Sequence, residues 1–535
     1  MGKKLKNTFR KFKSYDILAF VIIKITCILY ENKNQKGINE EISIGMKKVN
    51  FKYIPFIIIA LLALSASAQT DGFVQELWET YPQFKEGSLN QRRIKHQDLK
   101  PLIEKFKNQP NFNVHQVGTS IEGRSLNLIS IGSGKTNVFL WSQMHGDEST
   151  ATMAIFDIFN FLSSDKFEAE KAALFKSVRL HFLPMLNPDG AEVFHRRNAL
   201  GIDVNRDALR LQSPEGKTLK RIRDSLAADF GFNLHDQSKY YNAGASAKPA
   251  TISFLAPAYN YEKDVNEVRE NAMKLIVGMN AELQKHIPGQ VARYNDDFEP
   301  RAFGDNIQKW GTSTILIESG GFPDDPEKQE VRKLNFISIL SALFSISNQG
   351  YKTLDIEDYE KIPENDSKLY DLKLTGLQYE LMGETYILDL GINNLEISNG
   401  KNEFYYKSQI ADQGDLSTNH GYKTKDLSGY EIIPGAIYPH ILDNLEDLGK
   451  LDFSSILSDG YSYVKVKNIP KNENYTKYPV QIVGENFRIP TRLVVGSNPT
   501  FFLEKNGKSE FAVINGFFMD LEDLDNSIRN ALILR

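Results

Sequence analysis

The chain has 535 residues, of which 41% are hydrophobic and 25% charged, and its formal net charge is −4. These values are ordinary for a globular protein, and the length predicts two or three folded units. No long run of Lys and Arg follows the first 50 residues, so a nucleic-acid partner is not expected. The one cysteine, Cys27, lies near the N-terminus, so a metal site elsewhere in the chain must use His, Asp and Glu.

The N-terminal part predicts a secretory signal peptide over residues 46–68. Basic residues follow Met46, then an apolar run, then a small-x-small motif that ends at Ala68. This order predicts cleavage before Gln69, export to the periplasm or the medium, and no stable membrane insertion afterwards. Residues 1–45 are interpreted as an extension from a mis-assigned upstream start. The alternative is an uncleaved membrane anchor, although the apolar run is shorter than the roughly 20 residues of a membrane span.

Residues 69–348 alternate between strand-like and helix-like segments. The predicted strands are 126–131, 137–141, 178–184, 231–234 and 313–317, and the predicted helices are 91–108, 151–162, 262–286 and 327–346. This alternation predicts an α/β domain with a mixed, largely parallel central sheet flanked by helices. In such folds, functional groups gather where the strands end.

Residues 349–535 have a different texture, and they predict a β-rich C-terminal accessory domain. Short alternating segments are separated by Asn, Gly and Pro, and the predicted strands are 373–379, 385–390, 461–466, 480–483 and 491–495. No set of catalytic residue types stands out in this half. The candidate catalytic residues therefore lie in the first domain.

Three possible metal ligands follow predicted strands of the first domain. His145 and Glu148 lie in "LWSQMHGDEST", just past one strand, and His235 ends "FGFNLH" at another. Two imidazoles and one carboxylate, with a fourth position left for water, form the ligand set of a hydrolytic zinc site. The sequence therefore predicts one Zn²⁺ per chain.

Further charged groups accompany these ligands. Arg196, Arg197 and Arg206 cluster in "NPDGAEVFHRRNALGIDVNRDA", and guanidinium groups can bind a carboxylate or stabilise an oxyanion. Glu318 ends the apolar strand 313–317. An ion-paired structural carboxylate is the alternative for Glu318, but such a place is costly for a charge without a use.

In this order, the motifs resemble the carboxypeptidase A-like zinc peptidases, also called funnelins. HGDE is similar to the family's His-x-x-Glu, and it is followed by NPDG. GIDVNRD then resembles the family's G-V-D-x-N-R-N, and the histidine of "FNLHDQ" and the glutamate of "STILIESGG" complete the series. The resemblance implies a zinc carboxypeptidase fold and hydrolysis of the C-terminal residue of a peptide.

The resemblance also implies a role for each matching residue. His145, Glu148 and His235 would bind zinc, and Glu318 would act as the general base on the zinc-bound water. Asn205 and Arg206 would hold the free C-terminal carboxylate of the peptide substrate. Arg196 would polarise the scissile carbonyl, since "RRN" aligns with the family's R-K-N, and Arg197 remains the alternative.

Three positions depart from the family pattern. Asp147 stands between the first two ligands where many members have Arg, which would disfavour an acidic upstream substrate residue. Asp207 replaces the last Asn of Asn-Arg-Asn and would add a carboxylate near the pocket. The family's active-site tyrosine has no secure match, although Tyr294 is the nearest candidate before Glu318. Tyr259 and Tyr261 remain open, as does a specificity pocket around residues 303–305 that would accept a basic or polar terminal residue.

Two other hydrolytic functions use a metal site of this kind. One is a peptidase that acts on cell-wall stem peptides, and the other is an aspartoacylase-type deacylase. A non-catalytic binding module is a third possibility, but it is disfavoured because no ligand and no base is missing.

Overall fold

A mixed eight-stranded sheet forms the centre of the first region in this computed structural model, which describes residues 72–400, 402–524 and 530–535. Its strands lie in the order β1-β2-β4-β3-β5-β9-β7-β8. They are β1 Asn113–Thr119, β2 Ser125–Ile131, β3 Thr136–Ser142, β4 Val178–Leu183, β5 Phe230–Asp236, β7 Ile252–Leu255, β8 Val291–Arg293 and β9 Ser313–Ser319. Strands β4, β3, β5 and β9 are mutually parallel, whereas β1, β2 and β7 introduce antiparallel pairings. The predicted mixed α/β sheet is confirmed.

Helices surround this sheet and supply most of its core. They are His96–Lys107, Thr150–Ser163, Glu168–Ser177, Pro188–Glu192, Pro214–Leu226, Glu267–Leu283, Phe303–Lys309 and Gln329–Asn348, followed by the short Glu357–Glu360. Alternate residues of β3 enter different apolar clusters: Val138 and Leu140 join one, and Phe139 and Trp141 join the other. Because successive side chains of a strand point to opposite faces, the two clusters cover the two faces of the sheet.

The sheet brings three strand ends together. Ser142 at the end of β3 pairs with Leu234 of β5, and His235 of β5 pairs with Glu318 of β9. Since these neighbouring strands are parallel, the residues that leave them emerge at the same edge of the sheet. The segment that carries His145 and Glu148 starts at this edge, beside His235.

The C-terminal region consists mainly of two further sheets. One contains β11 Leu369–Leu381, β12 Glu384–Asn399, β13 Glu403–Gly414, β14 His420–Asp426, β15 Glu431–Pro434, β21 Phe501–Lys505, β22 Lys508–Ile514 and β23 Phe517–Asp520. The other contains β16 Ala436–Ile437, β17 Leu442–Asn444, β18 Tyr461–Asn468, β19 Tyr475–Thr476, β20 Gln481–Val483 and β24 Ala531–Leu534, with the helix Phe453–Ser458 nearby. The predicted β-rich character is confirmed.

The two regions have separate apolar cores but are linked by a small ribbon. Strand β6 Tyr241–Ala243 of the first region pairs with β10 Asn365–Ser367, and residues Phe73–Arg535 form one compact unit. The core of the first region continues through Tyr351, Tyr359 and Ile362, past residue 348. The domain boundary at 348/349 stays a prediction.

Some predicted elements differ in detail from the structure. The helix predicted at 91–108 begins at His96 instead of at 91, because the chain is extended at Lys95, which caps it. Residues 491–495 are not a strand. Val494 and Val495 are exposed and enter a turn in which the Ser497 amide donates to the Val494 carbonyl, so their β-branched side chains have no sheet face to cover.

The predicted signal peptide at 46–68 and the interpretation of residues 1–45 lie outside the described residues. Within the described part of the chain, no helix combines the length and the apolar character needed to cross a bilayer.

Candidate metal centre

Three predicted ligands converge at the edge of the sheet. His145 Nδ1 lies 2.8 Å from Glu148 Oε1, and His235 Nδ1 lies 2.7 Å from Glu148 Oε2. The two Nδ1 atoms are 3.2 Å apart, and all three side chains are buried. Among the described residues, this is the one group of His, Cys, Asp and Glu side chains with a metal-binding arrangement.

The geometry of this group fits a small tetrahedral cation. Zn–N and Zn–O bonds of about 2.0–2.1 Å in a tetrahedron place neighbouring ligand atoms roughly 3.4 Å apart. The separations of 2.7–3.2 Å are slightly shorter, as expected where hydrogen bonds link the three atoms. The donor set of two imidazoles and one carboxylate also suits zinc.

Asp203 holds His145 from the opposite side of the ring. Its Oδ1 lies 3.1 Å from His145 Nε2, and its Oδ2 accepts from Arg196 Nε at 3.0 Å. A carboxylate on the far nitrogen of a metal-binding histidine sets its tautomer and leaves Nδ1 free to bind the metal. Asp203 was not among the predicted site residues, although its place in "GIDVNRD" was a usable signal.

Arg196 points into the ligand group, whereas Arg197 does not. Arg196 Nη1 lies 3.1 Å from His145 Nδ1 and 3.3 Å from Glu148 Oε1. The exposed Arg197 donates instead to the Gly201 carbonyl at 2.9 Å. Of these two adjacent arginines, the structure brings Arg196 to the site.

Asn205 and Arg206 lie on a short 3₁₀ turn, Val204–Arg206, next to His235. Asn205 Nδ2 is 3.5 Å from His235 Nε2, and its Oδ1 accepts from the Phe303 amide at 2.9 Å. Arg206 is half-buried, and its Nε lies 3.3 Å from Glu299 Oε2. Both residues line a cavity of about 320 Å³ that also contains the three predicted ligands.

Glu318 lines the same cavity from the end of β9. Removal from bulk water, followed by the negative charge of Glu148, raises its pKa well above the usual value. A carboxylate with a raised pKa is a better proton acceptor than an ordinary glutamate. Its place in the cavity and its basicity both suit proton transfer.

The tyrosine candidates separate in the structure. Tyr294 lines the cavity, and its ring contacts that of Tyr241 edge-on at 6.0 Å. Burial and the charge of Glu318 raise the pKa of Tyr294, so it stays a protonated hydrogen-bond donor. Tyr261 is 71% exposed, and neither it nor Tyr259 lines the cavity.

The two acidic residues that depart from the family pattern, Asp147 and Asp207, have surroundings that the sequence did not indicate. Asp207 does not line the cavity, and its carboxylate accepts from the Gln212 and Ser213 amides at 2.7 and 2.8 Å. Its carboxylate therefore holds the turn before the helix Pro214–Leu226, next to Arg206 but off the cavity wall. The partly buried Asp147 has one carboxylate oxygen without a hydrogen-bond partner, and burial raises its pKa.

Of the predicted specificity segment 303–305, Asp305 reaches the cavity wall, while Phe303 is buried in an apolar cluster. Burial raises the pKa of Asp305 to about 7. Glu299, which sequence reasoning missed, lies between Arg206 and Arg301. No motif marks Glu299, because its place depends on a loop that folds back onto Arg206.

Strong electrostatic coupling links the ligand group. Burial alone would lower the pKa of His145, but the charge of Glu148 and the hydrogen bond to Asp203 raise it to about 9. The two histidines hold the pKa of Glu148 far below its usual value despite its burial. The metal-free site therefore keeps a proton on His145, which a cation would have to displace.

Comparison with known proteins agrees with this geometry. A family model described as "Zinc carboxypeptidase" matches residues 100–274. This range contains the three predicted metal ligands, Asn205 and the two site arginines, and it ends before Glu318.

Individual relatives match over shorter parts of their length. Carboxypeptidase SOL1 of Arabidopsis thaliana is 28% identical over 179 residues, which are 28% of this chain and 36% of the plant protein. The catalytic chain of human carboxypeptidase N is 27% identical over 139 residues, or 22% of this chain and 30% of that protein. The chain thus spans about a third of the length of these relatives.

Among solved structures, a metallo-carboxypeptidase from Burkholderia cenocepacia is similar with a TM-score of 0.40 and 18% identity. The match covers 48% of this chain and 69% of that one. The family model and the relatives both name carboxypeptidases, in agreement with the ordered motifs. Residues 100–274 of this chain are therefore similar to the zinc carboxypeptidase family.

Proposed function

We propose that the chain is a zinc-dependent metallocarboxypeptidase that hydrolyses the C-terminal residue of peptides. The observation that carries the proposal is a single cavity that holds a complete ligand group, the Asn205–Arg206 pair and Glu318. To bind the free C-terminal carboxylate of a peptide, the site needs a cation and hydrogen-bond donors close to the scissile bond. Arg206 supplies the cation, and both Arg206 and Asn205 supply donors. Secretion, with cleavage near Gln69, remains part of the proposal.

His145, Glu148 and His235 would hold the metal, and Asp203 would keep His145 in the required tautomer. When bound, zinc lowers the pKa of a water ligand and polarises a carbonyl oxygen. Glu318 accepts the proton of the attacking water and delivers it to the leaving amine. Its raised pKa favours the first of these transfers.

Arg196 has a further role that depends on the bound cation. In the metal-free arrangement its Nη1 lies against the ligand atoms, while its Nε is anchored on Asp203. A cation in the site would repel the guanidinium, because like charges in a buried site repel strongly. Arg196 would then be free to donate to the substrate carbonyl oxygen while Asp203 still holds it nearby.

The substrate's terminal carboxylate would bind Asn205 and Arg206, and Tyr294 would donate to the substrate from the facing wall. Asp305, Ala302 and Leu316 line the same cavity, and the terminal side chain would pack against them. A stem-peptide peptidase and a deacylase of the aspartoacylase type share the metal ligands. The presence of both Asn205 and Arg206 favours a substrate with a free carboxylate.

The test is the hydrolysis of matched peptides with free or amidated C-termini, together with N-acyl amino acids, by the zinc-loaded protein. Free peptides should be cleaved and amidated ones should not. Arg206→Ala should reduce kcat/KM for free peptides roughly 30-fold, since a half-buried charged contact contributes about 2 kcal/mol.

Arg301→Ala is the matched control, because Arg301 also pairs with Glu299 but is exposed and lies off the cavity wall. It should change kcat/KM less than twofold. Equal cleavage of free and amidated peptides, unaffected by Arg206→Ala, would contradict the carboxypeptidase proposal. Preferred cleavage of N-acyl amino acids would favour the deacylase.

A further inference from the structure

A second, larger cavity of about 880 Å³ lies between the first region and the C-terminal β region. One wall comes from the loops after β5 and β9, which carry Lys239, Tyr240 and Phe322. The opposite wall comes from the β11–β14 and β23 side, which carries Lys423, Lys425, Phe517 and others. The C-terminal region therefore builds one wall of this cavity.

This cavity adjoins the metal centre. Gln237 lines both cavities. Asp236, on the wall of the smaller cavity, forms an ion pair at 3.1 Å with Lys328, on the wall of the larger one. Because Asp236 and Gln237 directly follow the predicted ligand His235, one short loop forms the boundary between the two spaces.

The carboxylate-binding pair and the loop between the two cavities lie near different nitrogen atoms of the His235 ring. The Nε2 atom of His235 faces Asn205, whereas its Nδ1 faces Glu148, which also accepts from the Asp236 amide at 3.2 Å. A peptide whose terminal carboxylate lies at Asn205 and Arg206 would cross the ligands at its scissile bond. Its upstream residues would then leave past Asp236 and Gln237, toward the larger cavity.

Ion pairs hold the two walls in place. Lys239 Nζ lies 2.7 Å from Asp371 Oδ1, and the Tyr240 hydroxyl donates to Asp371 Oδ2 at 2.8 Å. Arg92 Nη2 lies 2.6 Å from Glu396 Oε1. These contacts join the two regions on either side of the space, so the cavity is a fixed feature of the folded chain.

The wall from the C-terminal region includes β14, a strand that has one unpaired edge and carries two lysines. Among the described strands, β14 pairs with β11 alone, which leaves one edge for an extended segment. Lys423 and Lys425 are exposed and two residues apart, so they lie on the same face of this strand. Neither forms an ion pair among the described residues, although Lys425 lies 5.3 Å over the Phe518 ring.

Most of the other charged side chains that line the cavity already have ion-pair or hydrogen-bond partners. Asp371 and Glu396 face Lys239 and Arg92 as described above, and Asp325 accepts from the Gln329 and Glu330 amides at 2.7 and 2.8 Å. Asp324 also lines the cavity and is exposed. The two β14 lysines are therefore the cations available to a ligand, and they favour carboxylates at alternating positions.

We propose that this cavity binds the upstream part of the substrate as an extended peptide, with acidic side chains opposite Lys423 and Lys425. The inference rests on the proposed carboxypeptidase function. The substrate class would be peptides with several residues before the scissile bond, in which acidic residues are preferred at the positions that reach Lys423 and Lys425.

The experiment compares kcat/KM of the zinc-loaded full chain for an N-benzoyl dipeptide and for octapeptides with the same last two residues. The octapeptides carry three Glu, three Gln or three Lys at alternating upstream positions. The Glu octapeptide should be cleaved best and the Lys octapeptide worst. The Lys423→Glu/Lys425→Glu variant should lose roughly tenfold on the Glu octapeptide, the effect of about 1.4 kcal/mol from two partly exposed charges.

A Lys471→Glu/Lys508→Glu variant is the control, because these lysines are exposed in the same region but off the cavity wall. It should keep the preference for Glu, and high salt should weaken that preference in the wild type. Equal cleavage of Glu and Lys octapeptides, or an equal loss on the dipeptide, would overturn the inference. Failure of the wild type to cleave any of these probes would overturn the proposed function instead.

Discussion

Two buried groups of charges lie in the α/β region, and they are satisfied in opposite ways. Arg332 and Asp157 are both fully buried, and Arg332 Nε lies 2.6 Å from Asp157 Oδ2. Asp157 also accepts from the Tyr81 hydroxyl at 2.9 Å and from the Glu86 amide at 2.7 Å. In this group a permanent cation and neutral donors surround the carboxylate.

The second group is the predicted ligand set, in which two imidazole nitrogens and two carboxylate oxygens face one another. The positive charge that faces the Glu148 carboxylate comes from a proton on His145 or from the guanidinium of Arg196. Buried charge is costly unless it is paired. The comparison indicates that the Asp157–Arg332 pair serves the fold, whereas the ligand group is arranged for a cation.

The sharpest test of this difference is removal of a ligand. His235→Ala should abolish peptide hydrolysis and stoichiometric zinc binding, because two remaining ligands cannot hold zinc tightly. Unfolding of the metal-free variant should stay close to that of the metal-free wild type. Zinc content after mild chelation and thermal unfolding measure the two outcomes, and a variant that keeps its zinc would refute the ligand assignment.

Loss of the base should leave the metal in place. Glu318→Gln keeps the shape of the side chain but not its basicity, so kcat should fall about 10²- to 10⁴-fold while zinc occupancy persists. Single-turnover rates and metal analysis on the same sample check this. A variant with near-normal kcat would assign proton transfer to another group.

Asp157→Asn should reduce the stability of the fold and leave the activity of the folded protein unchanged. It leaves the guanidinium of Arg332 buried without its counter-charge, so the free energy of unfolding should fall by about 3–5 kcal/mol. Activity per folded, zinc-loaded molecule should not change. The control is Glu104→Gln, which removes an exposed partner of Lys107 and should alter stability by less than about 1 kcal/mol. A loss of activity per folded molecule would mean that the two groups are coupled.

Asp203→Asn tests the support of the ligand group. It removes the carboxylate that holds His145 Nε2, and zinc affinity should fall about 10- to 100-fold. Competition with a chelator of known affinity measures this change. Unchanged affinity would show that Asp203 serves only to anchor Arg196.

The last expected effect concerns pH. The pKa of His145 is raised to about 9, and zinc binds only the neutral ring, so a proton must leave when the metal binds below that pH. Apparent zinc affinity should therefore rise about tenfold per pH unit from pH 6 toward 9 and then level off. Asp203→Asn removes one cause of the raised pKa and should move the plateau to lower pH. A flat profile would contradict the protonated metal-free site.

The linear order of residues determined much of the site. His145, Glu148, His235 and Glu318 follow apolar strands, and in a parallel sheet neighbouring strand ends meet at one edge. The motif chemistry and the mixed α/β fold could therefore be read from periodicity and residue type. The β-rich character of the second half followed in the same way from short alternating segments.

Other features depended on contacts between distant segments. Arg196 and Arg197 are adjacent in sequence, and only the direction of each side chain separates them. The carboxylate of Asp207 points toward a loop, because it accepts hydrogen bonds from two backbone amides there. No sequence motif predicts this contact.

The cavity between the two regions is the clearest case of this dependence. Lys423 and Lys425 lie more than a hundred residues from Glu318 in the sequence, and they reach its neighbourhood because ion pairs such as Lys239–Asp371 dock one region on the other. Local periodicity carries no information about such docking, since it depends on the complementarity of two folded surfaces. The predicted ligands were therefore readable from the sequence, whereas the space beside them depended on the tertiary structure.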